Sequence, residues 1–588
     1  MEKSLSTNLP LDGQVWRRPV PVIGDMSTSA ERASDVNGWA FTEEARESFY
    51  QIIGARRDIR KFRPDEISEE TLLKILDAGH RAPSVGHSQP WRFIKITDPS
   101  IRQSAAVLAD KERLRQASLL QPDSARRLLD LQLEGIREAP IGIVIACDRR
   151  THATGVLGRA TFPDADMWSA ACAIENIWLA ARAEGLGLGW VTLFKPEDLA
   201  DLLHLPDGVE TLGWLCLGWP DERPPAPGLE RAGWSTRVPI EDVIFENRWP
   251  EDTQATPAPI SHLRAPTQRD VVSARDVADP LLTTPSSLGL IDRAVDKIAS
   301  LKNTYSNEAI ALIVASDHKV TEFNVSAFSP SVTSEVAEAT RTGQSIGASL
   351  ASAAQIDCEL FDAGVIGGSI DISSRGDLVN SPALDPSEVD LLIKQGISIA
   401  EKYSGQYGMI ALGEIGIGNT TIASALSSAL LDLDPKETVG LGAGSDSQIM
   451  QIKEDVITSA LKRVGKINDP KQVLSEFGGG EFAVMVGVIL GATSKKIAVV
   501  LDGLATSVAA LIAVRIDRAC QSVLIAGQRS REKAHELVLQ ELGLEPLLDN
   551  RIRSGEGGGA ILATSIIKVA MSARTNIART VKDDGGQQ

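Results

Sequence analysis

Four short apolar runs punctuate the second half of the chain: IALIVASD (310–317), GMIALGEIGIG (408–418), KIAVVLDG (496–503) and SVLIAG (522–527). Stretches of helical periodicity separate them, and three of the four close in glycine-containing turns. Runs this short and this apolar suit strands buried on both faces, and their alternation with helices predicts a parallel α/β sheet of Rossmann-like type. Ligands of such sheets bind beyond the carboxyl ends of the strands.

The first half follows a different pattern. Residues 42–53 have helical spacing, Ser68 with Thr71 suits a helix start, and GIVIACD (142–148) is a short β-branched run bounded by turn signals. Met167 to Glu184 is long enough for a core helix, and GLGLGWVTLF (185–194) enters a strand. An α+β domain is expected here. With 588 residues the chain exceeds what one core usually holds. PEDTQATPAPISHLRAPTQRD (250–270) gathers Pro, Thr, Ala and charge without apolar periodicity, which marks the boundary. The expected organisation is a polar tail over 1–37, loose or packed as an arm on a neighbour. An α+β domain over 38–250, a linker over 251–280 and the α/β domain over 281–588 follow it.

A formal charge of −18 argues against nucleic acid or an anionic membrane as a general partner, so any phosphate must be held by local basic pockets. The first residues lack the apolar core of a signal peptide, and no apolar run is long enough to span a membrane, so a cytoplasmic location is expected. Five cysteines lie far apart without a CxxC pair, which predicts buried free thiols rather than a disulfide framework or a zinc site. His80 and His87 have no third ligand at metal spacing, so no metal is expected.

RRDIRKFR places Arg56, Arg57 and Arg60 in one segment, and their forked donors suit phosphate and flavin carbonyl oxygens; a solvated basic face remains the other reading. In APSVGHSQPW (82–91), a proline-restricted loop can hold backbone donors, Ser84 and Gln89 against a planar heterocycle, or it can simply end a helix. Together with GLGLGWVTLF, these segments resemble the flavin-binding pattern of the nitroreductase-like fold. Within it, residues 42–249 resemble the 5,6-dimethylbenzimidazole synthases of cobalamin lower-ligand synthesis. That resemblance implies oxygen-dependent fragmentation of reduced FMN to dimethylbenzimidazole and erythrose 4-phosphate, with flavin as the substrate. It singles out Asp58, where ordinary nitroreductases have a small hydroxyl residue, as a proton relay, and Thr192 in the place of a family serine. Gly189 joins the implied FMN site. Asn176 and Glu175 are weaker candidates, and an ion pair from Asp58 to Arg56 or Arg60 is compatible with either reading.

In GEIGIGNTTIASAL (413–426), Gly416 and Gly418 let backbone amides approach an anion, and Asn419, Thr420 and Thr421 can cap the helix that follows. In RIRSGEGGGA (551–560), glycines flank Glu556 and leave its carboxylate uncrowded. With FGGGEFAVMVG (477–487), these motifs resemble the nicotinate-nucleotide:dimethylbenzimidazole phosphoribosyltransferases over about 288–581. The resemblance implies attack of a benzimidazole nitrogen on nicotinate mononucleotide, releasing nicotinate and forming α-ribazole 5'-phosphate. It assigns Glu556 as the base, Glu414 as a second carboxylate that positions or stabilises cationic ribose, and Lys453 and Arg553 to the phosphate. Glu481, Asp502 and Ser530 match positions in the pocket surroundings.

One loop departs from that family: SDHKVTEFNVSAFSPSVT (316–333) has Lys319 in place of a glycine, and Phe328 as a residue able to stack on the base, to narrow the site or to pack into the core. A bifunctional synthase and transferase is the leading expectation. The alternatives are a generic FMN-dependent reductase fused to the transferase, or one half acting only as a binding module. No GxGxxG fingerprint precedes a helix in the first domain, so a separate flavin reductase is the expected source of reduced FMN. By resemblance, the assembly is expected to be a homodimer or larger.

Overall fold

The computed structural model describes residues 27–249 and 262–581, apart from 123, 126, 127, 129–134, 285, 305, 369–374, 441 and 443–446. Residues 1–26 of the expected tail and 251–261 of the expected linker lie outside the described residues. The chain forms two compact units, Asn37–Gln254 and a second made of Met1–Val36 with Ala255–Gln588. The described end of the tail is a helix, Ser29–Ser34, with a Thr28–Glu31 capping box. Ser29 N donates to Asp279 Oδ2 at 2.9 Å, which fastens this helix to the unit that contains the C-terminal half.

Asn37–Gln254 is built on an antiparallel sheet of four strands: β1 (Trp91–Ile96), β2 (Ile141–Asp148), β3 (Gly187–Val191) and β4 (Val209–Gly218), in the order β1-β2-β4-β3. Alternation along β2 separates two cores: Ile143 and Ile145 pack with Ala173, Ile174 and Ile177 of the helix Ala165–Ala183, while Val144 joins Ile59, Phe62 and Trp214 on the other face. Both faces are therefore covered. The arginine-rich segment lies along β3, where Asp58 bridges Leu188 in parallel and Ile59 N donates to Leu188 O at 3.0 Å.

The C-terminal half is built on a parallel sheet of five strands: β5 (Ala309–Ala315), β6 (Asp357–Asp362), β7 (Met409–Ile415), β8 (Ala498–Leu501) and β9 (Leu524–Ala526). Four of these are the apolar runs. The fifth, β6, reads DCELFD, and its polar pattern hid it: its residues are exposed or half-buried at one edge of the sheet, whereas β9 at the other edge is fully buried. The order β6-β5-β7-β8-β9 reverses direction between β5 and β7, so the crevice of the sheet opens where Ser316 to His318 leave β5 and Gly416 to Gly418 leave β7. Ser316 N donates to Ile415 O at 3.0 Å across that point.

The cysteines depart from expectation. Cys147, Cys216 and Cys520 are buried, but Cys172 and Cys358 are exposed, the latter because it sits on the edge strand β6. Among the described residues, no helix is long and apolar enough to cross a membrane.

Two candidate active sites

The first candidate site is organised by the pairing of residues 56–60 with β3. Asp58 accepts a hydrogen bond from Trp190 N at 3.0 Å through one carboxylate oxygen and pairs with Arg60 through the other. Arg60 also donates to Trp190 O at 3.1 Å, and its backbone N–H donates to Glu222 at 2.7 Å. Although 39% of the Asp58 side chain is exposed, the neighbouring protein raises its pKa above the ordinary carboxylate value, against the opposing pull of Arg60, the Trp190 amide and Arg56. Gly189 must lack a side chain, since a Cβ there would lie 2.3 Å from Ile59 O and push the whole segment off the strand.

The neighbouring arginines are held by the helix Ala165–Ala183. Arg56 stacks 4.4 Å from the Trp178 ring and lies 3.9 Å from Glu175, while Trp178 Nε1 donates to Arg57 O at 3.3 Å. Arg57 Nε and Arg60 Nη1 find no hydrogen-bond acceptor. Arg57, Ile59, Trp178 and Trp219 line a cavity of about 790 Å3 on this side of the unit. Asn176 donates to Ala78 O at 3.0 Å, which accounts for it structurally.

The loop containing Ser84 and Gln89 is anchored separately, by Val85 N donating to Ser169 Oγ at 3.0 Å. Ser84 Oγ accepts from Gln89 N at 3.1 Å, so the two candidates brace each other. His87 and Gln89 adopt left-handed φ of 53° and 46°, a costly backbone for residues with side chains. His80 accepts from Trp91 Nε1 at 3.1 Å. Thr192 is exposed just past the end of β3.

The second site is a cleft of about 830 Å3 at the carboxyl ends of β7 and β8. Glu414, Gly416, Asn419, Arg553, Glu556 and Phe328 all line it. Glu556 is fixed at both ends: its backbone N–H donates to Glu414 O at 3.0 Å, and its Oε2 accepts from Gly347 N at 3.1 Å, in the first turn of the helix Ile346–Ala353. Its φ of 60° is left-handed. Glu414 is buried, and its carboxylate accepts from the Asn419 amide. Burial pushes Glu414 up to about 8, helped by Glu481, opposed by Asn419 and helped again by Asp502 and Glu556.

Sequence reasoning assigned Asp502 only to the surroundings, yet it lines the cleft at the end of β8. It accepts from Gly559 N at 2.7 Å and Gln528 Nε2 at 3.0 Å, and burial pushes it up to about 7 against those bonds. Ser530, Arg531 and Glu532 line the cleft as well. Their signal was the GQRSREKAH motif following β9, where a strand end in a parallel sheet marks a binding position.

The helix Asn419–Leu431 differs from the expected capping. Gly418 is its N-cap at a φ of 95°, no side chain caps it, and Asn419, Thr420 and Thr421 form its first turn. Asn419 turns its side chain to Glu414 instead, while Asn419 N donates to Gly416 O at 3.2 Å and Thr421 N to Gly418 O at 2.9 Å in the first turn. Lys453 does not line the cleft: it is buried behind it, donating to Thr420 Oγ1 at 3.2 Å. Burial lowers its pKa, and nearby Glu532 works in the opposite sense. Glu481 is likewise outside the lining, fully buried with its Oε1 2.8 Å from His318 Nε2.

Comparison with known proteins follows this division. A family model described as phosphoribosyltransferase matches residues 264–582, and one described as the nitroreductase family matches 53–219. The 5,6-dimethylbenzimidazole synthase of Rhodospirillum rubrum is 41% identical over 204 residues, covering 34% of this chain and 96% of that protein. Its counterpart in Rhodobacter capsulatus is 36% identical over 201 residues, covering 34% of this chain and 97% of that protein. The nicotinate-nucleotide–dimethylbenzimidazole phosphoribosyltransferase of Pseudomonas fluorescens is 34% identical over 312 residues, covering 50% of this chain and 89% of that protein. The chain is therefore a fusion, belonging through its N-terminal half to the nitroreductase family, with 5,6-dimethylbenzimidazole synthases as relatives, and through its C-terminal half to the phosphoribosyltransferase family.

Proposed function

We propose that the chain makes activated cobalamin lower ligand in two steps, producing dimethylbenzimidazole from reduced FMN and oxygen and then joining it to ribosyl phosphate from nicotinate mononucleotide. The observation that carries the reading is the gathering of Glu414, Asp502 and Glu556 around one cleft beside a helix terminus that no side chain caps. Carboxylates face the reacting ribose while the helix end takes the phosphate.

In the transfer, the benzimidazole nitrogen forms a bond to the anomeric carbon, the bond to the pyridine nitrogen breaks, and nicotinate leaves with that electron pair. The ring proton of the benzimidazole passes to the Glu556 carboxylate, which its two backbone contacts hold in place. Glu414, pushed up to about 8, releases its proton readily when a cation comes beside it, and so stabilises positive character at the ribose. Gly416, Gly418 and Arg553 hold the phosphate, and buried Lys453 acts through Thr420, which it bonds and which lines the cleft.

In the first half, Arg56, Arg57 and Arg60 hold the flavin with Ser84, Gln89 and the backbone at Gly189. Arg57 lines the 790 Å3 cavity, where its forked guanidinium suits an anionic or carbonyl ligand. Reduced FMN supplies both the carbon framework and the electrons that oxygen takes. Asp58, raised in pKa and backed by Arg60, relays protons beside it, with the Thr192 hydroxyl assisting. Trp39, Phe41 and Trp249 stand largely exposed, which supports a homo-oligomer. Purified protein given reduced FMN, oxygen and nicotinate mononucleotide should form α-ribazole phosphate. Flavin that is merely reoxidised would instead make the first half an ordinary FMN-dependent reductase, and dimethylbenzimidazole left unconverted would refute the transferase step.

A further inference from the structure

Two neighbouring segments bring four arginines to one place in the C-terminal half. Leu547 N donates to Ala526 O at 3.0 Å, Leu548 N to Gly527 O at 3.0 Å and Arg529 N to Leu548 O at 2.8 Å, so the stretch after β9 runs beside 547–548. That pairing sets Arg529 and Arg531 near Arg551 and Arg553, and the four line a pocket of about 320 Å3 with Ser530 and Asp549. One carboxylate thus faces four guanidinium groups. None of the four closes an ion pair with a carboxylate among the described residues, whereas Arg515 pairs with Glu541 and Arg574 with Asp292 and Asp296. The charges of Arg529 and Arg531 also reach His535 and Glu532.

Backbone conformation supplies a second observation. Arg551 has a φ of 56°, a region that side chains disfavour, and the strain is kept at a residue whose side chain lines this pocket. Gathering four like charges is unfavourable unless an opposite charge joins them, and forked guanidinium donors match phosphate oxygens in pairs. The pocket shares Ser530, Arg531 and Arg553 with the 830 Å3 cleft, so the two are continuous.

We propose that Arg529, Arg531 and Arg551 form a second anion site at the mouth of the transferase cleft, beside Arg553, which serves the phosphate within it. The second site holds the phosphate monoester of the nucleotide on its way in or of the product on its way out, and it rests on the reading that the cleft handles a mononucleotide. Long-range attraction at this outer position speeds capture in a protein whose net charge of −18 otherwise repels anions.

The test compares wild type with R529E/R551E, two exposed residues outside the lining of the inner cleft, and with R529K/R551K, which keeps charge but loses the fork. In calorimetric titration with inorganic phosphate, R529E/R551E should bind one equivalent fewer than wild type at an unchanged unfolding transition, and R529K/R551K should bind that equivalent more weakly. Equal stoichiometry and affinity in wild type and R529E/R551E would overturn the site. In kinetics, a KM for nicotinate mononucleotide raised about tenfold at constant kcat assigns the site to the donor. Relief of product inhibition at constant KM assigns it to the product, and no change in either overturns its link to the cleft. Should wild type transfer no ribosyl phosphate while the phosphate difference persists, the functional reading fails and the anion site stands.

Discussion

Glu556 and Glu414 sit one hydrogen bond apart along the backbone, yet their surroundings give them different work. The Glu556 carboxylate accepts from a helix-terminal amide and lines the cleft, while burial beside other acids pushes Glu414 up to about 8. Replacing Glu556 with Gln should slow ribosyl transfer roughly 10²- to 10⁴-fold and leave flavin consumption unchanged, as measured by separate assays of α-ribazole phosphate and FMN. Parental transfer in that variant would reject the base assignment. The raised pKa of Glu414 also has a stability signature. A group protonated more strongly in the folded state contributes stability below its unfolded pKa and loses it as pH rises through the folded one. The window therefore runs from the ordinary value of 4.5 to about 8. Wild type should lose at least ~1 kcal/mol relative to Glu414→Gln between the ends of that window, read from the unfolding transition of the C-terminal half at pH 5 and pH 8.5. The sequence showed both glutamates because glycines mark their turns. It did not show that Asp502 joins them, since nothing local to VVLDG reports what arrives opposite it.

At the level of elements, the N-terminal site depends on a strand-like pairing that is only a few residues long. Gly189 permits it by leaving room for Ile59 O at 2.3 Å from where a Cβ would stand. Gly189→Ala should therefore displace residues 56–60 from β3, lower stability by about 1–3 kcal/mol and weaken FMN binding. Calorimetry and flavin titration check this, and unchanged FMN affinity would separate the segment from the site. In the C-terminal half the helix Asn419–Leu431 starts without a side-chain cap, although NTT follows the glycines in sequence. Capping reads as a local property, but the Asn419 side chain was drawn to Glu414, a partner supplied by the strand before the turn. The edge strand β6 was missed for a related reason. Its exposed residues carry no apolar run, and its place is set by pairing with β5.

Each of the two units of the whole molecule has a sheet and core of its own, so the sites should fail independently. Asp58→Ala should abolish FMN fragmentation but leave transfer intact when dimethylbenzimidazole is supplied. An equimolar mixture of Asp58→Ala and Glu556→Gln proteins should then make α-ribazole phosphate from reduced FMN, because the intermediate can pass through solution. A mixture that accumulates neither base nor product would show that one chain must carry out both steps. By itself the sequence determined that there are two domains of different class, which strands form the centre of the parallel sheet and where its glycine turns lie. These follow from periodicity and turn chemistry, which act over a few residues. Only the tertiary structure decided that Asp502 faces Glu414 and Glu556, that Lys453 stands behind Thr420 rather than in the cleft, and that four arginines share a pocket. Those results depend on burial and on segments distant in sequence being brought together, and desolvation and charge coupling arise only once water has been excluded between them.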